Sequence, residues 1–329
     1  MRVQRIRLTQ LDGSLPNLAL MKLSHGLRAQ GHEVFWQRSI VPQPNEGNYD
    51  RVYGSSIFRY SQKITEDFTK HWPGAVVGGT GTLSALNVEQ VLGADEYGYE
   101  YYDYSGYPEF KESIGFTQRG CRLSCKFCVV PKKEGKPRSV NTIADIWRGD
   151  PYPKKLHILD NDFFGQPQWR ERIEEIRAGG FRVCLSQGIN VRMITDESAA
   201  ALGSIQYRDT RFKERKLYTA WDNLGDERVF FTGVDCLERH GVPAKHLRAY
   251  MLVGFDIRET WERVWYRFKR MVDRGIEPYV MVYDRTRADL ISMQRWCNRG
   301  LYRIVPWGDY IRRTKTEESL MAWQRVYLA

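Results

Sequence analysis

Apolar and polar positions along the first hundred residues fall into short blocks that alternate between strand and helix. RIRLTQL (5–11) reads as a strand closed by Asp12 and Gly13. Pro16 then opens a helix whose Leu20, Leu23 and Leu27 stand at i, i+3 and i+7 and whose end falls near Gly31. His32–Gln37, Arg51–Phe58 and Ala75–Val77 are further strand candidates, the last running into Gly78-Gly79-Thr80-Gly81. Strands alternating with helical pattern predict a parallel, doubly wound, Rossmann-like α/β domain over residues 1–94. Residues 95–112 are rich in Tyr and punctuated by Gly, which suits a connector packed across two domains; a stacking platform for bases is the sharper reading of those tyrosines.

A second alternation starts at residue 113. Its strand candidates are Ser113–Gln118, Leu156–Leu159, Arg182–Gln187, Lys216–Ala220, Leu247–Val253 and Tyr279–Tyr283. Trp169, Ile173 and Ile176 mark one intervening helix, and Trp261, Val264, Trp265 and Phe268 another. Six strand–helix repeats predict a partial (β/α)6 barrel of TIM type over residues 113–288, with a helical extension over 289–329. Chemistry in such barrels collects past the carboxyl ends of the strands. The residues standing there are Asp160, Asn161 and Asp162, then Gly188, Ile189, Asn190 and Arg192, then Trp221, Asp222 and Asn223, then Gly254. Each has a plainer reading. Asp160 caps a turn, Asn190 and Asn223 are turn residues in left-handed geometry, and Arg192 pairs with Asp196 or Glu197.

The composition narrows the class without naming a reaction. With 42% apolar and 13% aromatic residues in 329, a large core can be buried and wholesale disorder is excluded. No apolar run approaches the ~20 residues of a membrane span. The opening MRVQRIRLTQLDG lacks the apolar stretch of a secretory signal, so a cytoplasmic protein with no membrane partner is expected. A net charge of +10 favours polyanionic partners. Six cysteines are too few for a disulfide-stapled domain.

Three of those cysteines, Cys121, Cys125 and Cys128, fall in RGCRLSCKFC with the spacing C-x3-C-x2-C, just past the first strand of the second alternation. Three thiolates on a short loop can hold three corners of a cubane iron–sulfur cluster, leaving one iron open to a chelating substrate or cofactor. A zinc site is the alternative, although structural zinc prefers four protein ligands in paired knuckles. Cys184, Cys236 and Cys297 are isolated and read as small apolar side chains.

This cysteine motif, with aromatic Phe127 before its last member and a partial barrel around it, resembles the radical S-adenosylmethionine superfamily. The resemblance covers roughly residues 110–285. It implies a [4Fe–4S] cluster on Cys121, Cys125 and Cys128 whose open iron binds S-adenosylmethionine. It also implies reductive cleavage to a 5′-deoxyadenosyl radical that abstracts hydrogen from a substrate, and a flavodoxin- or ferredoxin-type electron donor. LHILDND takes the place of the segment that holds the methionyl amino group, which makes Asp160 and Asn161 candidates, although the usual Gly-Gly-Glu is missing. By the same resemblance Gln187, Asn190 and Arg192 serve the cofactor after the third strand, with Arg192 on its carboxylate. Asp222 and Asn223 serve it after the fourth strand, Gly254 ends the adenine-supporting segment, and Phe127 adjoins the cofactor.

The N-terminal unit is similar to the cobalamin-binding-type domains of one branch of that superfamily, but lacks their D-x-H-x-x-G; cobalamin held without a histidine is the form left open. CVVPKKEGKPRS is similar to the region after the cluster in methylthiotransferases, whose N-terminal cysteines for a second cluster are absent here. Lys126, Lys132, Lys133, Lys136 and Arg138, with Arg208, Arg211, Lys213, Arg215 and Lys216, suggest two basic stretches at one barrel mouth. A nucleobase or nucleotide, free or within a nucleic acid, is the expected substrate. Radical modification of a peptide or small metabolite, or a non-catalytic iron–sulfur redox sensor, are the alternatives.

Overall fold

A computed structural model describes residues 2–82, 84, 86–94 and 100–314. The fold is mixed α/β with several parallel sheets, and the chain divides into two compact units, Met1–Gly115 and Phe116–Ala329.

The first unit runs β1 (Arg5–Gln10), α1 (Leu18–Ala29), β2 (Glu33–Trp36), β3 (Arg51–Ser55), α2 (Gln62–His71), β4 (Val76–Gly78), α3 (Val88–Leu92) and β5 (Ser113–Gly115). Four parallel strands lie in the order β2-β1-β3-β4. Ile6 and Leu8 of β1 are fully buried with Leu20, Leu23 and Leu27 of α1 on one face, and Phe68 of α2 packs with Val52 in a separate cluster. Helix α1 starts two residues later than Pro16 suggests, because Asn17 caps it by accepting from the Leu20 N–H at 3.1 Å. Strand β3 stops at Ser55 rather than Phe58. Beyond it the Ile57 and Phe58 N–H groups turn to donate to Asp12 at 2.7 and 2.9 Å. The glycine run after β4 packs on that same turn: a Cβ on Gly79 would sit 2.2 Å from the Ser56 carbonyl oxygen, and the Gly81 N–H donates to that oxygen.

Of the Tyr-rich segment, residues 95–99 lie outside the described residues, and residues 100–112 pack on the first unit itself. Tyr107 donates to Gln10 at 2.6 Å, Tyr104 bonds both main-chain atoms of Ile114, and Asp103 accepts from Ser24 of α1. These hydroxyls anchor the strap, which corrects the reading of Tyr104 and Tyr107 as a stacking platform; Tyr101 remains largely exposed.

The second unit runs β6 (Gln118–Arg119), α4 (Val130–Glu134), β7 (Arg138–Ser139), α5 (Ile143–Ile146), β8 (Lys155–Ile158), α6 (Trp169–Ala178), β9 (Arg182–Cys184) and α7 (Asp196–Ser204). It continues with β10 (Gln206–Tyr207), β11 (Leu217–Ala220), α8 (Glu227–Arg239), β12 (Leu247–Val253), α9 (Trp261–Asp273), β13 (Glu277–Val282), α10 (Ala288–Asn298) and α11 (Trp307–Thr314). β8, β9 and β10 run parallel side by side, β11, β12 and β13 form a second parallel sheet, and β6 and β7 pair antiparallel. Of the helical extension, residues 315–329 lie outside the described residues.

Period-two alternation sorts the strand residues by face. Leu156, Val183, Leu217, Ala249, Met251 and Val280 join the main apolar core with the helices. Their neighbours in sequence, Cys184, Tyr218 and Tyr250, form a separate small cluster with Phe212. Arg248 and Lys216 meet Glu277 at 2.7 and 2.9 Å near the amino ends of β12, β11 and β13. The expected strand Ser113–Gln118 is broken at Phe116 and Thr117, for a reason that belongs to the cysteine loop.

A candidate metal centre on the cysteine loop

Cys121, Cys125 and Cys128 lie half-buried on the loop between β6 and α4. Gly120 makes the turn into it at φ +82°, where a Cβ would sit 2.3 Å from the Lys136 carbonyl oxygen. The Cys121 N–H donates to Gly135 at 3.2 Å, the Cys128 N–H to Cys125 at 2.9 Å, and the Leu123 N–H to the Cys121 sulfur at 3.4 Å. Burial pushes the Cys121 and Cys128 thiols up, and the neighbouring thiols push the same way. A cation or a cluster is what would make thiolates of them.

Among the described residues, the set of three ligating side chains gathered within 4.8 Å of one another is Asp196, Cys236 and His240, and the cysteine trio is not such a set. Tetrahedral zinc with bonds of about 2.3 Å needs sulfurs about 3.8 Å apart.

The segment after β8 braces this loop. Asp160 is buried and accepts from the Thr117 and Gln118 N–H groups at 2.7 and 3.0 Å, from the Thr117 hydroxyl, and from Gln166 at 3.4 Å. These bonds turn the main chain at Thr117 and end the strand. Burial outweighs them and pushes the Asp160 carboxyl up to about 7. Asn161 donates to Glu134 at 3.3 Å, and Glu134 also accepts from Gly120 at 3.0 Å and pairs with Arg119 at 3.0 Å. Asp162 takes Arg122 in a two-pronged pair at 2.7 and 2.8 Å. Asp160 and Asn161, expected at the methionyl amino group, therefore hold the cysteine loop in place; both Asp160 oxygens are engaged in doing so.

Other strand-end residues meet the cysteines. Arg192 pairs with Asp226 at 2.6 Å, rather than with Asp196 or Glu197, and also lies against Cys125. Asp196 instead meets His240, and Glu197 meets Arg170, because both face away on α7. Asn190 accepts from Arg192 at 3.4 Å, and its buried amide nitrogen has no hydrogen-bond partner. Asp222 accepts from the Leu252 N–H at 2.9 Å and lies within electrostatic reach of Cys128, with burial raising its carboxyl. Phe127 packs edge-on against Phe255 at 5.5 Å, and Phe255 against Tyr283 at 4.9 Å. Gly254 stands at φ +76° just past β12, where a Cβ would sit 2.8 Å from the Leu290 side chain.

Gln187 is exposed, and Asn223 is an exposed cap whose oxygen accepts from the Gly225 N–H at 3.0 Å. The left-handed geometry expected of the two asparagines is also corrected: φ is −81° at Asn190 and −130° at Asn223. Arg122, Glu134, Phe255 and Tyr283 were not among the expected residues, and Asp162 was expected only by its place past the strand. The signal for Phe255 and Tyr283 was position alone, since Tyr283 directly follows β13 and Phe255 stands two residues past β12.

The two basic stretches do not share a mouth. Lys126, Lys132, Lys133 and Lys136 are exposed on or beside the cysteine loop. Lys216 immediately precedes β11 and pairs with Glu277, the first residue of β13, which puts that stretch at the amino ends of the strands. No helix among the described residues is long and apolar enough to cross a membrane. No family model and no curated protein matches the chain.

Proposed function

We propose that this chain is a radical S-adenosylmethionine enzyme, its second unit a partial (β/α)6 barrel and its first a Rossmann-like domain. The observation that carries the reading is the convergence of strand-end polar groups on the cysteine loop, Arg192 on Cys125 and Asp222 near Cys128. Parallel strands alternating with helices in both units support the architecture.

Cys121, Cys125 and Cys128 would hold three irons of a [4Fe–4S] cluster, for which an all-thiolate donor set is suited. When bound, the cluster and S-adenosylmethionine supply an electron to the sulfonium and a 5′-deoxyadenosyl radical. The chain's own residues bind, orient and shield. Arg192 and the partnerless Asn190 amide donate toward a carboxylate, Asp222 offers an acceptor, and Phe127, Phe255 and Tyr283 form an apolar wall that keeps water from a reactive carbon. Cobalamin is not part of this proposal, because the chain lacks D-x-H-x-x-G and no residue is assigned to a histidine-free form. The reaction requires a flavodoxin- or ferredoxin-type reductant. The exposed lysines beside the loop favour a nucleobase or nucleotide substrate.

Anaerobic reconstitution with iron and sulfide, followed by reduction in the presence of S-adenosylmethionine, should yield 5′-deoxyadenosine, and Cys125→Ala should abolish it. An intact cluster that never cleaves the cofactor would overturn the enzyme reading in favour of a redox sensor. Stoichiometric zinc in anaerobically purified protein would overturn the cluster itself.

A further inference from the structure

Far from the cysteine loop, three side chains of a different kind meet on the helical layer. Asp196 opens α7; Cys236 and His240 stand four residues apart at the end of α8 and so share one face of it. The Asp196 Oδ1 atom lies 2.9 Å from His240 Nε2 and accepts from the Cys236 thiol at 3.4 Å, and the ligating atoms of all three lie within 4.8 Å of one another.

Those separations can be compared with what an ion would demand. Zinc bonds of about 2.0 Å to oxygen and nitrogen and about 2.3 Å to sulfur, at tetrahedral angles, place oxygen about 3.3 Å from nitrogen and about 3.5 Å from sulfur. The two separations found differ from these by a few tenths of an ångström. The two separations to the carboxylate therefore change little on admitting the ion. The helices are also fixed beside it, because Gly203 of α7 lies so close to the His240 main chain that a Cβ would sit 2.3 Å from its carbonyl oxygen.

We propose that Asp196, Cys236 and His240 form a zinc site that clamps α7 to α8, with solvent completing the fourth position. Hard calcium and magnesium are disfavoured by the sulfur and nitrogen donors. On binding, the Cys236 thiol releases its proton to solvent and the thiolate bonds the metal; no electron changes hands. Asp196 is largely exposed, with a side chain 71% accessible, so a water ligand has access. Arg239 competes for the carboxylate at 3.3 Å, but an exposed pair of this kind is weak and easily displaced. The proposal is independent of the cofactor reading, since the cysteine trio takes no part in it.

The test uses the full chain carrying Cys121→Ala, Cys125→Ala and Cys128→Ala, which removes the thiols of the cysteine loop and leaves, besides Cys236, only the buried Cys184 and Cys297. After dialysis against zinc and then metal-free buffer, this protein should retain one zinc per chain. With cobalt it should show a sulfur-to-metal charge-transfer band and the intense visible bands of a tetrahedral ion. His240→Ala should weaken zinc at least tenfold, and Cys236→Ser should remove the charge-transfer band while circular dichroism stays unchanged. Arg239→Ala should tighten binding, which a mere hydrogen-bonded helix cap does not predict. No retained zinc at micromolar concentrations, or equal retention in His240→Ala and Cys236→Ser, would overturn the proposal. Should Cys236→Ser fail to fold, the exposed variants Asp196→Asn and His240→Ala decide by the same loss of zinc.

Discussion

Replacing Asp160 separates two things this carboxylate does, accepting hydrogen bonds and carrying charge. Asp160→Ala leaves the Thr117 and Gln118 N–H groups without their acceptor in a buried place. At about 1–3 kcal/mol for each unsatisfied group, the cost is about 2–6 kcal/mol. Asp160→Asn keeps one oxygen for both N–H groups and carries no charge. Because burial raises the native carboxyl to about 7 from an ordinary 3.8, the group contributes stability that is fully present below about pH 4 and is lost as the pH rises through 7. A shift of about three units corresponds to at most about 4 kcal/mol between those limits. The Asn variant escapes that loss, so it should match wild type below about pH 4 and exceed it by the full difference near pH 8.5. Eight of the ten tryptophans lie beyond residue 115, so thermal unfolding followed by tryptophan fluorescence reports mainly on this unit. At about 2–4 °C per kcal/mol, Asp160→Ala should lower the midpoint by at least about 4 °C. It should also reduce the iron retained after reconstitution. If Asn and Ala variants lose the same stability at both pH values, acceptance by Asp160 is not what braces the loop.

Gly120→Ala should cost at least about 1–2 kcal/mol from its left-handed backbone alone and should lower iron incorporation, because the added carbon meets the Lys136 carbonyl; normal iron content would refute the close approach. Arg192→Lys keeps a charge for Asp226 but loses the planar fork. It should raise the KM for S-adenosylmethionine at least tenfold with iron content unchanged, and an unchanged KM would remove Arg192 from cofactor binding. Changing Lys126, Lys132, Lys133 and Lys136 together to Gln should flatten the dependence of log K on log salt for a nucleic acid ligand, by about 0.9 for each phosphate no longer neutralised; an unaltered slope would turn the substrate reading toward a peptide or metabolite.

What the sequence made legible was whatever depends on local period. Helices marked by Trp169, Ile173 and Ile176, or by Trp261, Val264, Trp265 and Phe268, form at those places because an apolar stripe at helical spacing has one way to be buried. Strand Leu247–Val253 is found as expected, since its alternate residues face a core. Strand ends were less legible, and the misses share a cause. β3 ends at Ser55 and the expected Ser113–Gln118 breaks because a distant carboxylate, Asp12 or Asp160, draws the main-chain N–H groups off the ladder. Such a bond spans more than forty residues and leaves no local pattern. The same holds for Arg192: its neighbours in sequence offered Asp196 and Glu197, whereas the fold brought Asp226 to it across 34 positions.

The bracing by Asp160, Asn161 and Asp162 bears on how a cofactor could be held. An LDND segment that accepts from Thr117 and Gln118, donates to Glu134 and grips Arg122 stiffens the loop at three points along its length. A stiff loop fixes where three sulfurs stand before any iron arrives, and pre-organisation of that kind strengthens binding by reducing the ordering required. Arg192, which lies against Cys125, and the Asn190 amide beside it are donors after β9, and Asp222 is an acceptor after β11. A ligand that bears an amine and a carboxylate would then be gripped from those strands, with the segment after β8 acting through the loop. Asp162→Asn tests this division: it should weaken iron retention by loosening Arg122, yet leave the KM for S-adenosylmethionine of the fraction that does hold a cluster unchanged. A raised KM in that fraction would return the segment after β8 to direct cofactor contact.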